Sequence, residues 1–381
     1  RLRLVVRSAD TLARLGGDEF VLLLEDLTCV ADAVATAQRM LHGLARPFDL
    51  TARHVTLSAS IGIVVYPDHA DGDKLLASAD AAMYAAKRNG GHTYAVFEPH
   101  MQEGVSAQLE LQQDLREALA RRQLRLHYQL KIDSRSGRAR SVEALLRWQH
   151  PQLGPVSPAE FVPLAERFGL IVAIGGWVID EACRQIAAWS AEGRRMRVAI
   201  NLSAHQLRQP DLAARINAAI ARHGIAPDQL VCEITESAAM EDTRTTTRVL
   251  DELAALGVEL SIDDFGTGYS SLAKLRRMRA HELKIDREFV ADVARDADAR
   301  AVVDAIVRLG HALGLRIVAE GVETAAQRDA LRTLGCDELQ GYYFAQPLPP
   351  EALLVGELRS ADGDEPVAFS PSVMTSTLVP E

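Results

Sequence analysis

RVAINLS at residues 197–203, LVCEITES at 230–237 and VELSIDDF at 258–265 decide the fold. Each is a short apolar, β-branched run that meets a polar side chain at or near its end: Asn201, Glu233 and Asp263. Working outward, LRLHYQ (124–129), SVEALLRW (141–148), HELKID (281–286), RIVAEGV (316–322) and DELQGYYF (337–344) have the same build and add Glu143, Lys284, Glu320 and Gln340. Most of these runs are separated by an amphipathic stretch of helical period. Eight short strands alternating with helices predict a closed parallel α/β barrel. In such a barrel the carboxyl ends of the strands open onto one face, and catalytic groups collect there.

Five acids, Glu143, Glu233, Asp263, Asp264 and Glu320, would share that mouth. Carboxylates brought so close resist ionising together unless a multivalent cation neutralises them, so the pattern points to a metal site. One such acid alone would read as an ion-pair partner or as the cap of the next helix. Five on one face with Asn201 read as ligands. Lys284 could merely offset surplus carboxylates, or it could stabilise a hydroxide and the charge that develops in a transition state. Asp264 could instead serve the turn of the FGTG segment, because turns favour Asp.

Composition bounds the function. The 381 residues are 48% hydrophobic and 25% charged, enough for one large core and a smaller one. The formal net charge of -10 argues against general DNA or RNA binding, which needs clustered Lys and Arg. Cys29, Cys183, Cys232 and Cys336 lie far apart with no CxxC spacing, so neither a disulfide framework nor a zinc site is indicated. No run of eighteen apolar residues and no signal-peptide pattern occurs, which predicts a cytoplasmic type of protein. The first residue is Arg1 rather than Met, and an upstream portion, with or without a membrane anchor, is expected.

Four regions follow: a mixed α/β segment over 1–99, a linker helix over 100–122, the barrel over 123–359, and a polar, proline-bearing tail over 360–381 expected to be disordered. Leu109, Leu111, Leu115 and Leu119 of the linker could form a dimer seam or pack on the chain's own barrel. In the first region RLGGDEFVLLL (14–24) places Gly16, Gly17, Asp18 and Glu19 between apolar runs, which predicts a hairpin. Lys87 and Arg88 close a helical stretch, where they complement the helix dipole.

RLGGDEF, then SASIGIVVYP (58–67) and ADAAMYAAKRNG (79–90), resemble the second half of a GGDEF domain, the diguanylate cyclase family. The resemblance implies a palm-like α/β domain of nucleotidyl-cyclase type that condenses two GTP into cyclic di-GMP. Asp18 would match a magnesium ligand, Glu19 a neighbouring acidic position and Lys87 a triphosphate contact. Arg7 and Asp10 match the family's RxxD inhibitory site. The family's opening half, with its first metal-binding aspartate, has no counterpart in these residues. This copy is therefore expected to be regulatory, with GTP as a possible ligand, and not to synthesise cyclic di-GMP.

VEALLRWQHP (142–151), NLS, EITES, DDFGTGYSSL (263–272), ELKID, VAEGVE (318–323) and LQGYYFAQP (339–347), in that order, resemble an EAL domain, the cyclic di-GMP phosphodiesterase family. The resemblance covers about 240 residues. It implies a TIM-like (β/α)8 barrel that uses two Mg²⁺ or Mn²⁺ ions to hydrolyse cyclic di-GMP to 5′-pGpG, and a homodimer. Glu143, Asn201, Glu233 and Asp263 match the ligands of a first cation, Asp263 and Asp264 those of a second, and Glu320, a further metal ligand, matches the catalytic glutamate beside the attacking water. All are hard oxygen donors, which suit those ions. Lys284 matches the lysine near the attacking water. Gln129, Arg147 and Gln340 match substrate-contacting positions, and Glu236 the residue that steadies the DDFGTGYSS loop. Two departures stand out: Leu130 where the family usually has proline, and His281 where it usually has an acid. The competing readings are a receptor barrel that binds cyclic di-GMP without hydrolysis, and a longer parent that both makes and degrades it.

Overall fold

The computed structural model describes residues 1–354 apart from 8, 17–18, 47, 51–52, 56, 70, 89–90, 242 and 267–271. The chain divides into two compact units, Arg1–Asp114 and Leu115–Glu381.

In the first unit the expected hairpin is present. Thr11–Gly16 pairs antiparallel with Glu19–Leu23, from Thr11 opposite Leu23 to Gly16 opposite Glu19. Gly17 and Asp18 lie outside the described residues. Strands Ile61–Ile63 and Tyr94–Val96 pair in parallel. Ala33 and Ala37 of helix Val30–Ala45 join Ile63 in a small core, lined by Leu27, Val34, Val65 and Val96.

Helix His100–Ala118 runs across the division between the units. Leu111 and Leu115 are buried and Leu119 is half-buried. The side chain of Leu109, like the tail from 355 onward, lies outside the described residues.

The second unit is a closed eight-stranded barrel: β1 (Leu124–Asp133), β2 (Ala139–His150), β3 (Arg197–Asn201), β4 (Leu230–Thr235), β5 (Glu259–Phe265), β6 (Glu282–Ile285), β7 (Arg316–Ala319) and β8 (Glu338–Gln340). Strands β2 to β8 are parallel in sequence order. The barrel closes through β1, which runs antiparallel to both β8 and β2.

The expectation of a wholly parallel barrel is corrected at that strand. Parallel neighbours need a crossover of a dozen or more residues. Between β1 and β2 the chain has only the turn after Asp133, whose Oδ1 accepts the N–H groups of Arg135 and Ser136, so it can only reverse.

Helices follow β2 through β7 and start and stop on local signals. Helix Ala325–Leu334 opens on a Thr324–Gln327 capping box and ends at Gly335, and Thr243 caps Arg244–Ala255. Strands buried on both faces read as continuous apolar runs. Their outward side chains, among them Ile262, Leu283, Ile285, Ile317 and Leu339, pack with Val303, Val307 and Leu331 of the helices. Along β1, Leu124, Leu126, Tyr128, Leu130 and Ile132 are buried on the outer face, where Tyr128 meets the Trp189 ring edge-on at 5.0 Å. Leu130 therefore faces away from the barrel interior. Gln129 and Lys131, on the alternate face, point inward.

Candidate active site

The barrel interior is an ionic column instead of an apolar plug. In its lower part Glu282 Oε1 accepts from Lys131 Nζ at 2.9 Å and Ser261 Oγ at 3.0 Å, with Arg316 3.6 Å from its other oxygen. Glu338 accepts from Ser141 Oγ and from Arg197, each at 2.6 Å, and Glu259 bridges Arg197 and Arg316. Burial alone would raise the Glu282 carboxyl, but Lys131, Arg316 and Arg197 together hold it down at about 2.

A folded-state value below the ordinary one stabilises the fold above about pH 4.5, and this contribution is lost as pH falls toward 2. For a shift of that size the contribution is on the order of 3 kcal/mol. Thermal melts from pH 7 to pH 3 should show a Tm that falls steeply on the acid side, and a flatter profile in Glu282→Gln. Parallel profiles for parent and variant would place the acid sensitivity elsewhere.

The upper part gathers the predicted site. Lys284 Nζ, 1% exposed, lies 2.5 Å from Glu320 Oε1, 2.9 Å from Glu233 Oε2, 3.1 Å from Asp263 Oδ2 and 3.7 Å from Glu143 Oε2. Asn201 Nδ2 donates to Glu143 Oε1 at 2.7 Å, and Gln340 Nε2 donates to Glu143 Oε2 at 2.6 Å and Gln129 Oε1 at 3.1 Å. Strand ends from β2 through β8 thus converge on one ammonium group. Gly341 lets β8 end there, because a Cβ at that position would stand 2.1 Å from the Val322 carbonyl oxygen.

Electrostatics explain the arrangement. Burial pushes Glu233 up, and Glu143 beside it adds to the shift. Burial likewise pushes Glu320 up to about 8 against the pull of Lys284, with Asp263, Glu143 and Glu233 adding to the rise. Burial would lower Lys284, but the surrounding carboxylates, Glu143 foremost, raise it well above the ordinary lysine value. At neutral pH Lys284 is a fixed cation and not a base.

Asp264 is placed differently. Between the pairs Ile262–Leu283 and Phe265–Ile285, Asp263 and Asp264 of β5 stand against Lys284 alone of β6, and Asp264 takes φ +54° in this bulge. Its N–H donates to Asp263 Oδ1 at 2.9 Å and its side chain bonds Asp286, so Asp264 faces Asp286. One residue on, Gly266 donates its N–H to Glu236 Oε2 at 2.9 Å with φ +103°. Residues 267–271 of that loop lie outside the described residues. Arg147 is half-buried on the same face of β2 as Glu143, toward the mouth, and its NH1 donates to the Leu146 carbonyl. His281 is exposed at the start of β6, the end remote from the mouth, where its Nδ1 accepts from Leu260 N–H.

Among the described residues of the first unit the predicted ones form no such cluster. Arg7 N–H donates to Asp10 Oδ2 at 2.8 Å in a local turn, and Glu19 and Lys87 are exposed.

Sequence reading missed Lys131, Glu282 and Asp286. The first had a signal: two residues after inward-facing Gln129, strand alternation puts Lys131 inside.

Among the described residues no three His, Cys, Asp or Glu side chains are spaced to share one metal ion as placed. Instead the Lys284 ammonium stands where the acids converge. The donor set still suits a hard divalent cation: the groups are oxygen donors, the raised Glu233 and Glu320 carboxyls favour added positive charge, and Gln340 Oε1 is buried without a hydrogen-bond partner.

Among the described residues no helix is long and apolar enough to cross a membrane. The EAL domain model matches residues 112–347, and the diguanylate cyclase GGDEF domain model matches 1–93. The bifunctional diguanylate cyclase/cyclic di-GMP phosphodiesterase MucR of Pseudomonas aeruginosa is 50% identical over 356 residues, 93% of this chain and 52% of that protein. The cyclic di-GMP phosphodiesterase PdeR of Escherichia coli is 40% identical over 342 residues, 90% of this chain and 51% of PdeR. The chain thus spans about half the length of these relatives. A solved structure of the MucR phosphodiesterase in complex with cyclic di-GMP superposes with TM-score 0.62 at 52% identity, covering 64% of this chain and 99% of the other. By these matches the chain belongs to the EAL domain family, with a GGDEF segment preceding its barrel.

Proposed function

We propose that the barrel hydrolyses cyclic di-GMP to linear 5′-pGpG with the aid of Mg²⁺ or Mn²⁺. The observation that carries this reading is the convergence of four carboxylates on Lys284 at the strand-end face, with Asn201 and Gln340 bonded into the same cluster. The relatives named as cyclic di-GMP phosphodiesterases support the choice of substrate.

Opening the ring breaks one P–O3′ bond: a water oxygen attacks phosphorus, the 3′-oxygen leaves opposite it, and a proton ends on that oxygen. Divalent cations, one held by Glu143, Asn201, Glu233 and Asp263 and a second by Asp263 and Asp264, would neutralise the phosphate and acidify water there. Lys284 keeps its proton and adds fixed positive charge where negative charge develops. Glu320 stands 2.5 Å from that ammonium, beside the water it would act on. Arg147 reaches the phosphate from the mouth, and Gln129 and Gln340 fix the ligand by their amides.

We assign the GGDEF segment a regulatory part, with Arg7 and Asp10 as a cyclic di-GMP contact, GTP as a further ligand, and a homodimer as the working state. The MucR relative, named bifunctional, favours a parent that also synthesises the dinucleotide.

The test is incubation of the chain with cyclic di-GMP and Mn²⁺, followed by nucleotide chromatography. Conversion to pGpG that stops with EDTA is expected. Binding of the dinucleotide without conversion, under Mg²⁺ and Mn²⁺ alike, would leave a receptor barrel and overturn the enzyme.

A further inference from the structure

Lys131 has no part in the proposed chemistry, and beyond its bond to Glu282 it also reaches the cation site. It is 1% exposed, and its Nζ lies 2.6 Å from Glu233 Oε1 and 2.9 Å from Glu282 Oε1. Glu233 is wholly buried and takes one lysine on each oxygen: Lys131 from below on Oε1 and Lys284 from the mouth side on Oε2 at 2.9 Å. A carboxylate held at one oxygen can swing about its last torsion, which is broad and roughly two-fold. Held at both, it cannot. Glu282 is itself fixed by Ser261 and Arg316, so Lys131 hangs from an anchored acid.

We propose that Lys131 is a positioning residue for the cation site: it pins Glu233 Oε1 to the barrel floor and leaves Oε2 as the oxygen presented to the mouth. The inference rests on Glu233 being a cation ligand in the proposed phosphodiesterase. Outer partners that orient a metal ligand are worth roughly 10- to 100-fold in metal affinity or activity. The opposing view is that Lys131 only neutralises Glu282.

The double variant Lys131→Met/Glu282→Gln separates the two, because it removes one cation and one anion and leaves the net charge of the column unchanged. Positioning requires that Mn²⁺ affinity, read by electron paramagnetic resonance without substrate, weaken about tenfold. It also requires kcat for cyclic di-GMP to fall by a similar factor while KM stays within about twofold. A double variant that binds Mn²⁺ and turns over like the parent would overturn the proposal. If that variant does not fold, Lys131→Gln/Glu282→Gln is read in the same way, and loss of the fold in both would make the pair a structural brace and overturn it as well. Failure of the phosphodiesterase reading shows up separately, as a parent chain that binds Mn²⁺ yet leaves cyclic di-GMP intact.

Discussion

Replacing Lys284 by methionine is expected to damage stability and turnover together, and to make the stability depend on divalent cation. Four carboxylates within 3.7 Å of its Nζ would lose their shared positive partner. Removing one partner from a buried ion pair costs about 3–5 kcal/mol, because it strands charge away from water. Part of that loss would be relieved by proton uptake at Glu233 and Glu320, both already pushed up by burial. Turnover of cyclic di-GMP should fall by about a hundredfold or more, the scale for losing one preorganised charge at a reacting centre. A ligand that binds only the folded state stabilises it in proportion to its affinity. Without the competing ammonium the acids should hold Mn²⁺ more tightly, so calorimetry should show a larger Mn²⁺-induced rise in Tm for Lys284→Met than for the parent. Equal rises would mean that Lys284 and the cation do not share the acids.

Glu143→Ala should separate activity from stability. Glu143 accepts from Asn201 at 2.7 Å and Gln340 at 2.6 Å, but is the most distant of the four acids around Lys284. Its loss leaves Lys284 with three carboxylates and deprives two amide donors of an acceptor, a cost of about 1–3 kcal/mol. The catalytic effect should be far larger, about a thousandfold in kcat, because a cation ligand and the orientation of Asn201 and Gln340 go together. Cyclic di-GMP affinity, for which Arg147 and Gln129 are also proposed as contacts, should change by less than about tenfold, within the scale of one lost hydrogen bond. Binding and turnover measured on the same preparation test this. A matched fall in both would make Glu143 a binding residue.

Much of the barrel was legible because its strands are short, β-branched and closed by polar residues, a pattern that fixes which ends face the mouth. Seven of the eight strands follow it. The exception, β1, hides its direction because strand residues look alike whichever way they run, and only the brevity of the turn after Asp133 forces the reversal. The acids of the site were legible as a set, but their common partner was not. Spacing places Lys284 on the same face, and only the folded chain shows one ammonium within reach of four acids. The separation of Asp264 from Asp263 was hidden for a related reason. Adjacent letters do not reveal that a single bulge at φ +54° turns one side chain toward Lys284 and the other toward Asp286. Lys131 could have been placed inside by counting twos from Gln129, but its partner Glu282 lies 151 positions away and no local pattern joins them.

The most direct test of the whole is hydrolysis of cyclic di-GMP in ¹⁸O-enriched water with Mn²⁺, followed by mass spectrometry of the product. The expected result is 5′-pGpG carrying one ¹⁸O on its terminal phosphate, formed by the parent and reduced to background in Glu143→Ala. Unlabelled, intact cyclic di-GMP recovered from the parent would contradict it.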